Sequence, residues 1–398
     1  MDSTFFSRER AAGYEPERLA ATRALLVGAG ALGQNCAISL TLCQIGELCV
    51  VDFDRFEPHN ATRSPCFPSQ RDSARWGNSK AEIVARKLAE LISWSESPRI
   101  SYLAGPIQEF GDAPFRNATV VISAVDSNRA RAYIASMCKK HKRPLVEGGF
   151  DGPDVSLSVL ANNPRGPCWL CHQAMELHDQ LRVSCTARAM QAEQDGFVPA
   201  TQPAAAAIGA LMAEAVIQVA HGNDEVLNRR VYLNTRTARV ATIRLTMDQD
   251  CQGRHDWPDE VSFWVTLSNE ARGGDLLKEL AKRMPGPRVM LPHRFIAAAP
   301  CAGCGRPVEI KRPDWALSNN PLCVGCGGPW QRCNGGTDGS PLLVYSTLDQ
   351  DSPLLDLPLG AIGIAPGSVL EAEDLNDHTA MFGISGTVSS TLVYGGDV

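Results

Sequence analysis

The first 150 residues alternate between short apolar runs and longer stretches in which apolar positions recur with a helical period. One apolar run covers residues 25–27, and a second ends at Asp52 after a helical stretch that extends to about residue 43. The same order recurs as an apolar run at 118–124, a helical stretch at 128–141 and a strand at 144–147. Strands rich in β-branched residues that alternate with helices predict an α/β domain built on a doubly wound, mostly parallel sheet.

The remaining pattern divides the chain further. Residues 155–161 and 231–245 alternate between apolar and polar positions, which predicts strands that extend the sheet in antiparallel fashion. The most apolar helical run, 204–220, is short and carries Glu214, so we interpret it as a buried helix rather than a membrane span. We predict three parts: a domain at 1–255 with a long polar loop at 172–203, a linker helix and cysteine-rich ribbon at 256–340, and an acidic, β-rich module at 341–398.

Composition and charge narrow the class of protein. The chain has 398 residues, of which 44% are hydrophobic and 21% charged, as in ordinary globular proteins. Its net charge of −6 does not favour nucleic-acid binding, and no membrane partner is expected. The first residues are polar and do not resemble a secretory signal, so we expect a cytoplasmic protein whose 14 cysteines serve as metal ligands or thiols. From residue 333 onward there are nine acids and no Lys or Arg, which predicts either a solvated acidic face or docking to a basic surface.

The turn after the first strand has the spacing of a nucleotide-binding loop. Gly28, Gly30 and Gly33 form a G-x-G-x-x-G motif between a strand and a helix, as in Rossmann-like domains. Glycines let the backbone approach phosphate, and the helix N-terminus offers free N–H groups. Asp52 lies 19 residues after Gly33, where a carboxylate can accept a hydrogen bond from a ribose hydroxyl. The motif alone predicts a nucleotide without specifying which.

Charged residues cluster near the predicted strand ends. Asp52 and Asp54 close the second strand, and Asn60 and Arg63 follow in the same loop. Lys80 begins the next helix, where its charge opposes the helix dipole; this favours a phosphate contact over the alternative of a solvated lysine.

Another acid, Asp126, follows a later parallel strand. It is either the N-cap of the next helix or a ligand for magnesium or ribose. The carboxyl ends of parallel strands are where such sheets bind ligands, which supports the ligand interpretation. The N-cap interpretation is kept open beside it.

Two groups of cysteines have the spacing of zinc ligands. Two C-x-x-C pairs separated by 18 residues predict a four-cysteine zinc ribbon formed by Cys301, Cys304, Cys323 and Cys326. A second site is split along the chain: Cys168 and Cys171 pair with Cys251 and His255. The alternative for the split set is unrelated thiols and a surface histidine.

A further thiol, Cys185, lies in the long polar loop. Arg182 and Arg188 flank it and would favour the thiolate, although an incidental exposed thiol is the alternative. At the other end, Arg8 belongs to an arginine-rich N-terminal arm, whose alternative interpretation is a solvated helix.

The ordered combination GAGALG, VDFDRFEPHNATR, GNSKAEIVARKL, SAVDSNRAR and CWLC resembles the ThiF/MoeB and ubiquitin-activating superfamily of adenylating enzymes over roughly residues 5–255. The resemblance implies that Asp52 binds the ATP ribose, that Arg63 and Lys80 contact the phosphates, and that Asp126 serves magnesium-ATP. It also implies a homodimer in which Arg8 reaches the phosphates held by the partner subunit. A split zinc site is a further trait of this superfamily, so ATP, Mg²⁺ and two Zn²⁺ ions are the expected cofactors.

The same resemblance implies a reaction. The segment SCTARA resembles the context of the catalytic cysteine in ubiquitin-activating members, which favours Cys185. The expected activity is adenylation of the C-terminal glycine of a small ubiquitin-like protein, then a thioester on Cys185 and transfer to a conjugating-enzyme-like partner. The appended C-terminal modules resemble those of bacterial ubiquitin-like pathways, some of them linked to phage defence.

The chain also departs from the superfamily pattern. Ala replaces glycine at position 31, the loop between Arg63 and Lys80 is longer, and the second zinc pair is C-x3-H instead of C-x-x-C. Three alternatives are left open: a sulfur-carrier adenylyltransferase without a thioester step, an NAD-dependent dehydrogenase, and an inactive ThiF-like scaffold. A dehydrogenase would share the glycine turn and Asp52 but would not need Arg63, Lys80 and Asp126 together.

Overall fold

The structure, a computed structural model, describes residues 6–95, 98–151, 153–173, 201–268, 270–316, 322–329, 343–386, 388 and 390–394. Within these ranges the helices are α1 (Ser7–Ala11), α2 (Pro16–Ala20), α3 (Ala31–Leu42), α4 (Gln70–Trp76), α5 (Lys80–Leu91), α6 (Ala113–Asn117), α7 (Asn128–Lys140), α8 (Gln202–Ala220) and α9 (Gly273–Ala281). The strands are β1 (Arg23–Val27), β2 (Glu47–Asp52), β3 (Arg99–Ala104), β4 (Val120–Ser123), β5 (Leu145–Asp151), β6 (Asp154–Leu160), β7 (Arg229–Asn234), β8 (Arg239–Arg244), β9 (Phe263–Val265), β10 (Arg288–Pro300), β11 (Pro307–Pro313), β12 (Leu343–Leu348), β13 (Val369–Glu373), β14 (Thr379–Ile384) and β15 (Thr391–Tyr394).

The larger sheet has nine strands in the order β15-β3-β2-β1-β4-β5-β6-β7-β8. The five strands from β3 to β5 run parallel, and β6, β7 and β8 continue the sheet in antiparallel pairs. The predicted α/β class with a mostly parallel sheet and an antiparallel extension is confirmed.

Helices cover both faces of this sheet. Along β1, Leu26 packs into a core with α3, α5 and α8, whereas Leu25 and Val27 pack into a second core with α7. This alternation along a single strand is what a doubly wound sheet requires, because each face of the sheet buries its own apolar side chains.

The predicted buried helix at 204–220 is α8. It is long and apolar enough to cross a membrane by length and composition, and half of its most apolar window is buried. Its apolar side chains join the core beneath the large sheet. A Cβ at Gly209 would lie 2.6 Å from Asn35 Cβ on α3, so the absence of a side chain lets α8 and α3 pack closely. The helix therefore has the surroundings of a core helix within the domain.

A second, six-stranded sheet is formed after residue 255. Its order is β11-β10-β13-β14-β9, and β12 pairs with β10. The predicted boundary at residue 340 falls between strands of this one sheet, since β10 precedes it and β12 follows it. The final strand, β15, lies elsewhere: it pairs antiparallel with β3 at the edge of the large sheet. The end of the chain thus returns to the first domain.

Charged contacts join the two sheets. The Asp112 carboxylate accepts hydrogen bonds from Lys140 Nζ and His141 Nε2 at 2.6 Å each, and from the Val369 N–H of β13 at 3.1 Å. Arg254 donates to both carboxylate oxygens of Glu371, at 2.6 and 3.2 Å. One acid of the acidic module therefore pairs with a basic residue of this same chain.

Candidate functional site

The glycine motif and the predicted charged residues lie where three neighbouring parallel strands end. β1 pairs with β2 on one side and with β4 on the other. The turn at 28–33 follows β1, Asp52 closes β2, and Asp126 comes three residues after β4. The carboxyl ends of these strands form one edge of the sheet, which is where open α/β sheets bind ligands.

Close backbone contacts hold the glycine turn. Gly28 has a φ of +99°, and a Cβ there would lie 2.5 Å from the carbonyl oxygen of Ala124. A Cβ at Gly33 would lie 1.9 Å from the carbonyl oxygen of Gly28, so a larger residue would push α3 away from the turn. A Cβ at Gly30 would meet no described atom within 4 Å, and no side chain caps the start of α3. Open space beside uncapped N–H groups is the arrangement that accommodates a phosphate.

Asp52 braces this turn. Its Oδ2 accepts a hydrogen bond from the Ala29 N–H at 2.6 Å, and its Oδ1 accepts one from the Asp54 N–H at 2.7 Å. Burial raises the pKa of the Asp52 carboxyl above its usual value, and these two N–H donors oppose the rise. Each carboxylate oxygen can accept a second hydrogen bond, so the predicted ribose contact is compatible with the geometry.

Lys80 stands at the start of α5 and is held there. Its ammonium pairs with Asp54 at 2.8 Å, and its side chain is only 13% exposed. Ser79 caps the helix by accepting the Glu82 N–H at 3.5 Å. The alternative of a solvated surface lysine does not describe this residue, because Asp54 and the helix terminus fix its position beside the strand ends.

The loop between β2 and α4 carries Asn60 and Arg63. Asn60 is buried, and its side-chain oxygen accepts the Glu57 N–H at 3.0 Å, so this part of its amide holds the loop together. Arg63 donates from Nη1 to the carbonyl oxygen of His59 at 2.6 Å. A guanidinium has five N–H donors, so Arg63 retains capacity for a phosphate.

Asp126 differs from the other acids of this edge. It is exposed, and within the described ranges it has no hydrogen bond or ion pair. The N-cap of α7 is Ser127, whose Oγ accepts the Ala130 N–H at 3.4 Å. The N-cap alternative for Asp126 is therefore wrong.

The sequence interpretation missed one residue that supports this edge from α3. Gln34 is fully buried, donates to the Ala29 carbonyl at 2.8 Å and accepts the Cys66 N–H at 2.9 Å. It thus joins the glycine turn to the loop that carries Arg63. The sequence does carry one signal for this residue, which is a polar side chain within an otherwise apolar helix.

A second missed residue, Arg131, braces the Asp126 loop. Its Nε donates to the Val125 carbonyl at 3.1 Å, and its Nη1 donates to the buried Glu147 at 2.5 Å. A Cβ at Gly149 would lie 2.9 Å from that Nη1, so the glycine makes room for the guanidinium. The residue lies inside the SNRAR motif, but its partner Glu147 is distant in sequence.

The structure does not test the predicted roles of two further residues. Arg8 lies in α1 and is exposed. Cys185 and most of the loop at 172–203 lie outside the described residues. The predicted roles of Arg8 and Cys185 therefore stay predictions.

The split set of zinc ligands comes together in space. Cys168 Sγ lies 3.8 Å from Cys171 Sγ and 3.7 Å from Cys251 Sγ, and Cys171 Sγ lies 3.5 Å from His255 Nε2. Tetrahedral zinc with Zn–S bonds of about 2.3 Å places its ligand atoms about 3.8 Å apart. Nε2 is therefore the His255 nitrogen that faces the thiols. The other ring nitrogen, Nδ1, is buried and has no partner among the described residues. The four side chains fit a zinc ion.

The four-cysteine set is equally compact. Cys301 Sγ lies 3.4 Å from Cys326 Sγ, and Cys304 Sγ lies 3.6 Å from Cys323 Sγ. All four sulfurs lie within 4.8 Å of one another. Cys304 and Cys326 are exposed, whereas Cys168 and Cys171 of the split cluster are buried. Both sets have the ligand number and spacing of structural zinc sites.

These features define a class: a nucleotide-binding α/β domain with a glycine turn and acids at three adjacent strand ends, and a cysteine–histidine cluster joining two distant segments. Residues 7–253 match the ThiF family, and the chain belongs to that family.

Two relatives illustrate the family. Over 156 residues the chain is 34% identical to human ubiquitin-like modifier-activating enzyme 7, covering 37% of this chain and 15% of that protein. Over 235 residues it is 29% identical to adenylyltransferase and sulfurtransferase MOCS3-1 of Zea mays, covering 58% of this chain and 47% of that protein. The chain therefore spans less than half the length of either relative.

A solved structure shows the shared fold. Microcin C7 biosynthetic enzyme MccB in complex with N-formylated MccA aligns at a TM-score of 0.50 with 18% identity, covering 60% of this chain and 69% of that one.

Proposed function

We propose that this chain is an ATP-dependent adenylyltransferase that activates the C-terminal glycine carboxylate of a small ubiquitin-like protein. One observation carries the proposal: Asp52, the Lys80–Asp54 pair and Asp126, which has no partner among the described residues, share one sheet edge with the glycine turn. A hydride-transfer site needs no such set of phosphate and metal contacts. Membership of the ThiF family, and the activating and adenylyltransferase names of the relatives, support the same activity.

Each residue at the edge has a proposed role. Asp52 binds the ribose, and the α3 N-terminus at Gly30 with Arg63 and Lys80 binds the phosphates. Asp126 holds Mg²⁺, which offsets negative charge on the phosphates. In a homodimer, Arg8 of each subunit reaches the nucleotide of the other.

The reaction requires positioning more than covalent chemistry from the protein. A carboxylate oxygen of the carrier attacks the α-phosphorus of ATP, the bond to the bridging oxygen breaks, and pyrophosphate leaves. The product is an acyl-adenylate. Fixed positive groups beside the phosphates favour this step because they are already oriented where charge develops.

A thioester step on Cys185 follows in this proposal, and it rests on the SCTARA segment alone. The Cys185 thiolate attacks the acyl carbon and displaces AMP, and the acyl group then passes to a conjugating-enzyme-like partner. The maize relative is named a sulfurtransferase as well as an adenylyltransferase, so activation without this thioester is the second candidate.

Nucleotide choice is the simplest test. ATP with Mg²⁺ should raise the melting temperature of the full chain, and NAD should not. Lys80→Met should abolish the ATP shift, while Lys87→Met, a matched lysine of α5 paired with Asp72, should preserve it. A shift with NAD but not with ATP would favour the dehydrogenase alternative.

Activity is tested by ATP–pyrophosphate exchange with small glycine-terminated proteins encoded beside this chain's gene. Exchange should depend on one such protein and on its terminal carboxylate. In Cys185→Ala the exchange should persist while a thiol-sensitive carrier adduct disappears; Cys43→Ala, a half-buried thiol of this chain, is the control. An adduct that survives Cys185→Ala would exclude the thioester step, and the absence of any adduct in the parent chain would favour the second candidate.

We also infer that both cysteine clusters hold structural zinc. Purified chain should contain two zinc ions, and Cys304→Ser should remove one of them. The zinc would join segments of the chain without taking part in adenylation.

A further inference from the structure

One buried lysine of α7 has no role in the chemistry above. Lys139 is only 2% exposed, and its ammonium donates to the backbone carbonyls of Asn163 and Gly166 at 2.6 and 2.7 Å. Its neighbour Lys140 pairs with Asp112, but Lys139 forms no ion pair with a carboxylate within the part of the chain that the structure describes. A buried ammonium that lacks a counter-charge is costly, so this residue needs an explanation.

The split cysteine cluster begins two residues after the segment that Lys139 holds. Gly166, which Lys139 contacts, lies two residues before Cys168, so the lysine holds the segment that leads into the first cysteine pair. Burial lowers the pKa of Lys139, and negative charge on the sulfurs of Cys168, Cys171 and Cys251 would raise it again. These three sulfurs are the thiol ligands of the split cluster.

The charges of a zinc ion and its four ligands sum to zero only when Lys139 is counted. Three thiolates, one neutral imidazole and one Zn²⁺ give a net charge of −1, and the Lys139 ammonium brings the sum to zero. Arg254, which precedes His255, is also a cation, but it pairs with Glu371 and Asp256. The four-cysteine ribbon carries −2, and its exposed Cys304 and Cys326 let water and ions screen that charge. The split cluster is less accessible to solvent, because Cys168 and Cys171 are buried and Cys251 and His255 are half-buried.

We propose that Lys139 is the counter-charge that lets the Cys168–Cys171–Cys251–His255 cluster retain zinc. It is a positioning and compensating residue that binds no metal itself. The proposal rests on zinc occupancy of this cluster, as inferred above, and it is independent of which carrier the enzyme activates. Partners of metal ligands typically change metal affinity by about 10–100-fold when they are altered.

The test measures zinc content and zinc release to a coloured chelator from the full chain. Lys139→Met and Lys139→Gln should each release zinc from the split cluster about 10–100-fold faster. Zinc in the ribbon should leave at the unchanged rate and so serves as an internal reference within the same molecule. The kinetic phase of zinc release that disappears in Cys304→Ser is the one that belongs to the ribbon. Lys142→Met, which alters a neighbouring lysine paired with Asp259, is the matched control and should behave like the parent chain.

Several outcomes would overturn the proposal. Zinc retention in Lys139→Gln at the parent level, with loss in Lys139→Met, would mean that hydrogen bonding matters and charge does not. Equal acceleration at both sites would indicate general destabilisation instead of a local counter-charge. A parent chain that holds zinc only in the ribbon would remove the premise, while ATP–pyrophosphate exchange would still test adenylation separately.

Discussion

Two clusters of charged side chains use the same residue types in different ways. At the junction of the two sheets, Asp112 accepts hydrogen bonds from Lys140, His141 and the Val369 N–H, and it is 2% exposed. At the strand ends, Asp126 is exposed and has no partner among the described residues. Lys80 lies between these extremes, with a single carboxylate partner.

The difference separates a structural contact from a binding site. A buried network whose donors and acceptors are all used rigidifies the fold, because breaking any member leaves an unpaired charge. A cluster with unused capacity costs little in water and is completed by a ligand. The junction is therefore expected to respond to substitution through stability, and the strand ends through activity.

The largest expected effect is the loss of activity in Asp126→Asn. Removing this carboxylate should lower carrier-dependent ATP–pyrophosphate exchange by about a thousandfold, because a metal contact near the phosphates is lost. The melting temperature without nucleotide should be unchanged, since no described partner loses a contact. Exchange at the parent rate would show that Asp126 does not hold the metal.

At the junction, Asp112→Asn should lower the stability of the fold and leave nucleotide binding intact. It leaves the ammonium of Lys140, whose side chain is 9% exposed, without its carboxylate, and the free energy of unfolding should fall by about 3 kcal/mol. Urea unfolding measures the change, and hydrogen exchange should locate it at β13 as well as α7. ATP-dependent stabilisation of the remaining folded protein should be preserved. A stability equal to the parent chain would mean that the junction does not hold the two sheets together.

Local patterns in the sequence sufficed for much of the fold and for the metal clusters. The strand–helix alternation, the glycine turn and the C-x-x-C spacings each involve residues close in sequence, and the structure places them as predicted. Asp52 and Lys80 were found because strand ends and helix starts can be located from such patterns. Resemblance to a family then joined these separate positions into one edge.

Long-range pairing could not be predicted in the same way. Nothing in residues 391–394 indicates that β15 pairs with β3 instead of the nearby β-rich strands, because an edge strand accepts any extended segment of suitable pattern. Lys139 lies in a basic run at a helix C-terminus, where solvated lysines are normal; only the fold reveals its burial. Gln34 and Arg131 likewise depend on partners that the chain brings from other segments.

An intermediate effect is expected where support for the strand ends is removed. Glu147→Gln takes the charge from the partner of Arg131, which also donates to the Val125 carbonyl beside Asp126. The Asp126 loop should then be less well held, and the KM for magnesium-ATP should rise about tenfold while kcat changes less. Glu82→Gln, which alters a comparable pair with Arg86 on α5, should leave the KM unchanged. Equal changes in both variants would mean that general charge, and not the loop position, sets the affinity.

The smallest expected effect is the response of the junction to mild acid. Burial lowers the pKa of His141 below its usual value, Lys140 and Arg116 act in the same direction, and Asp112 opposes them. A histidine whose pKa is lower in the folded state contributes stability above its unfolded pKa and loses it as the pH falls through the folded pKa. The melting temperature should therefore decline between pH 7 and pH 5, and His141→Gln, which cannot be protonated, should flatten that decline. An unchanged profile in His141→Gln would place the acid-sensitive group outside the junction.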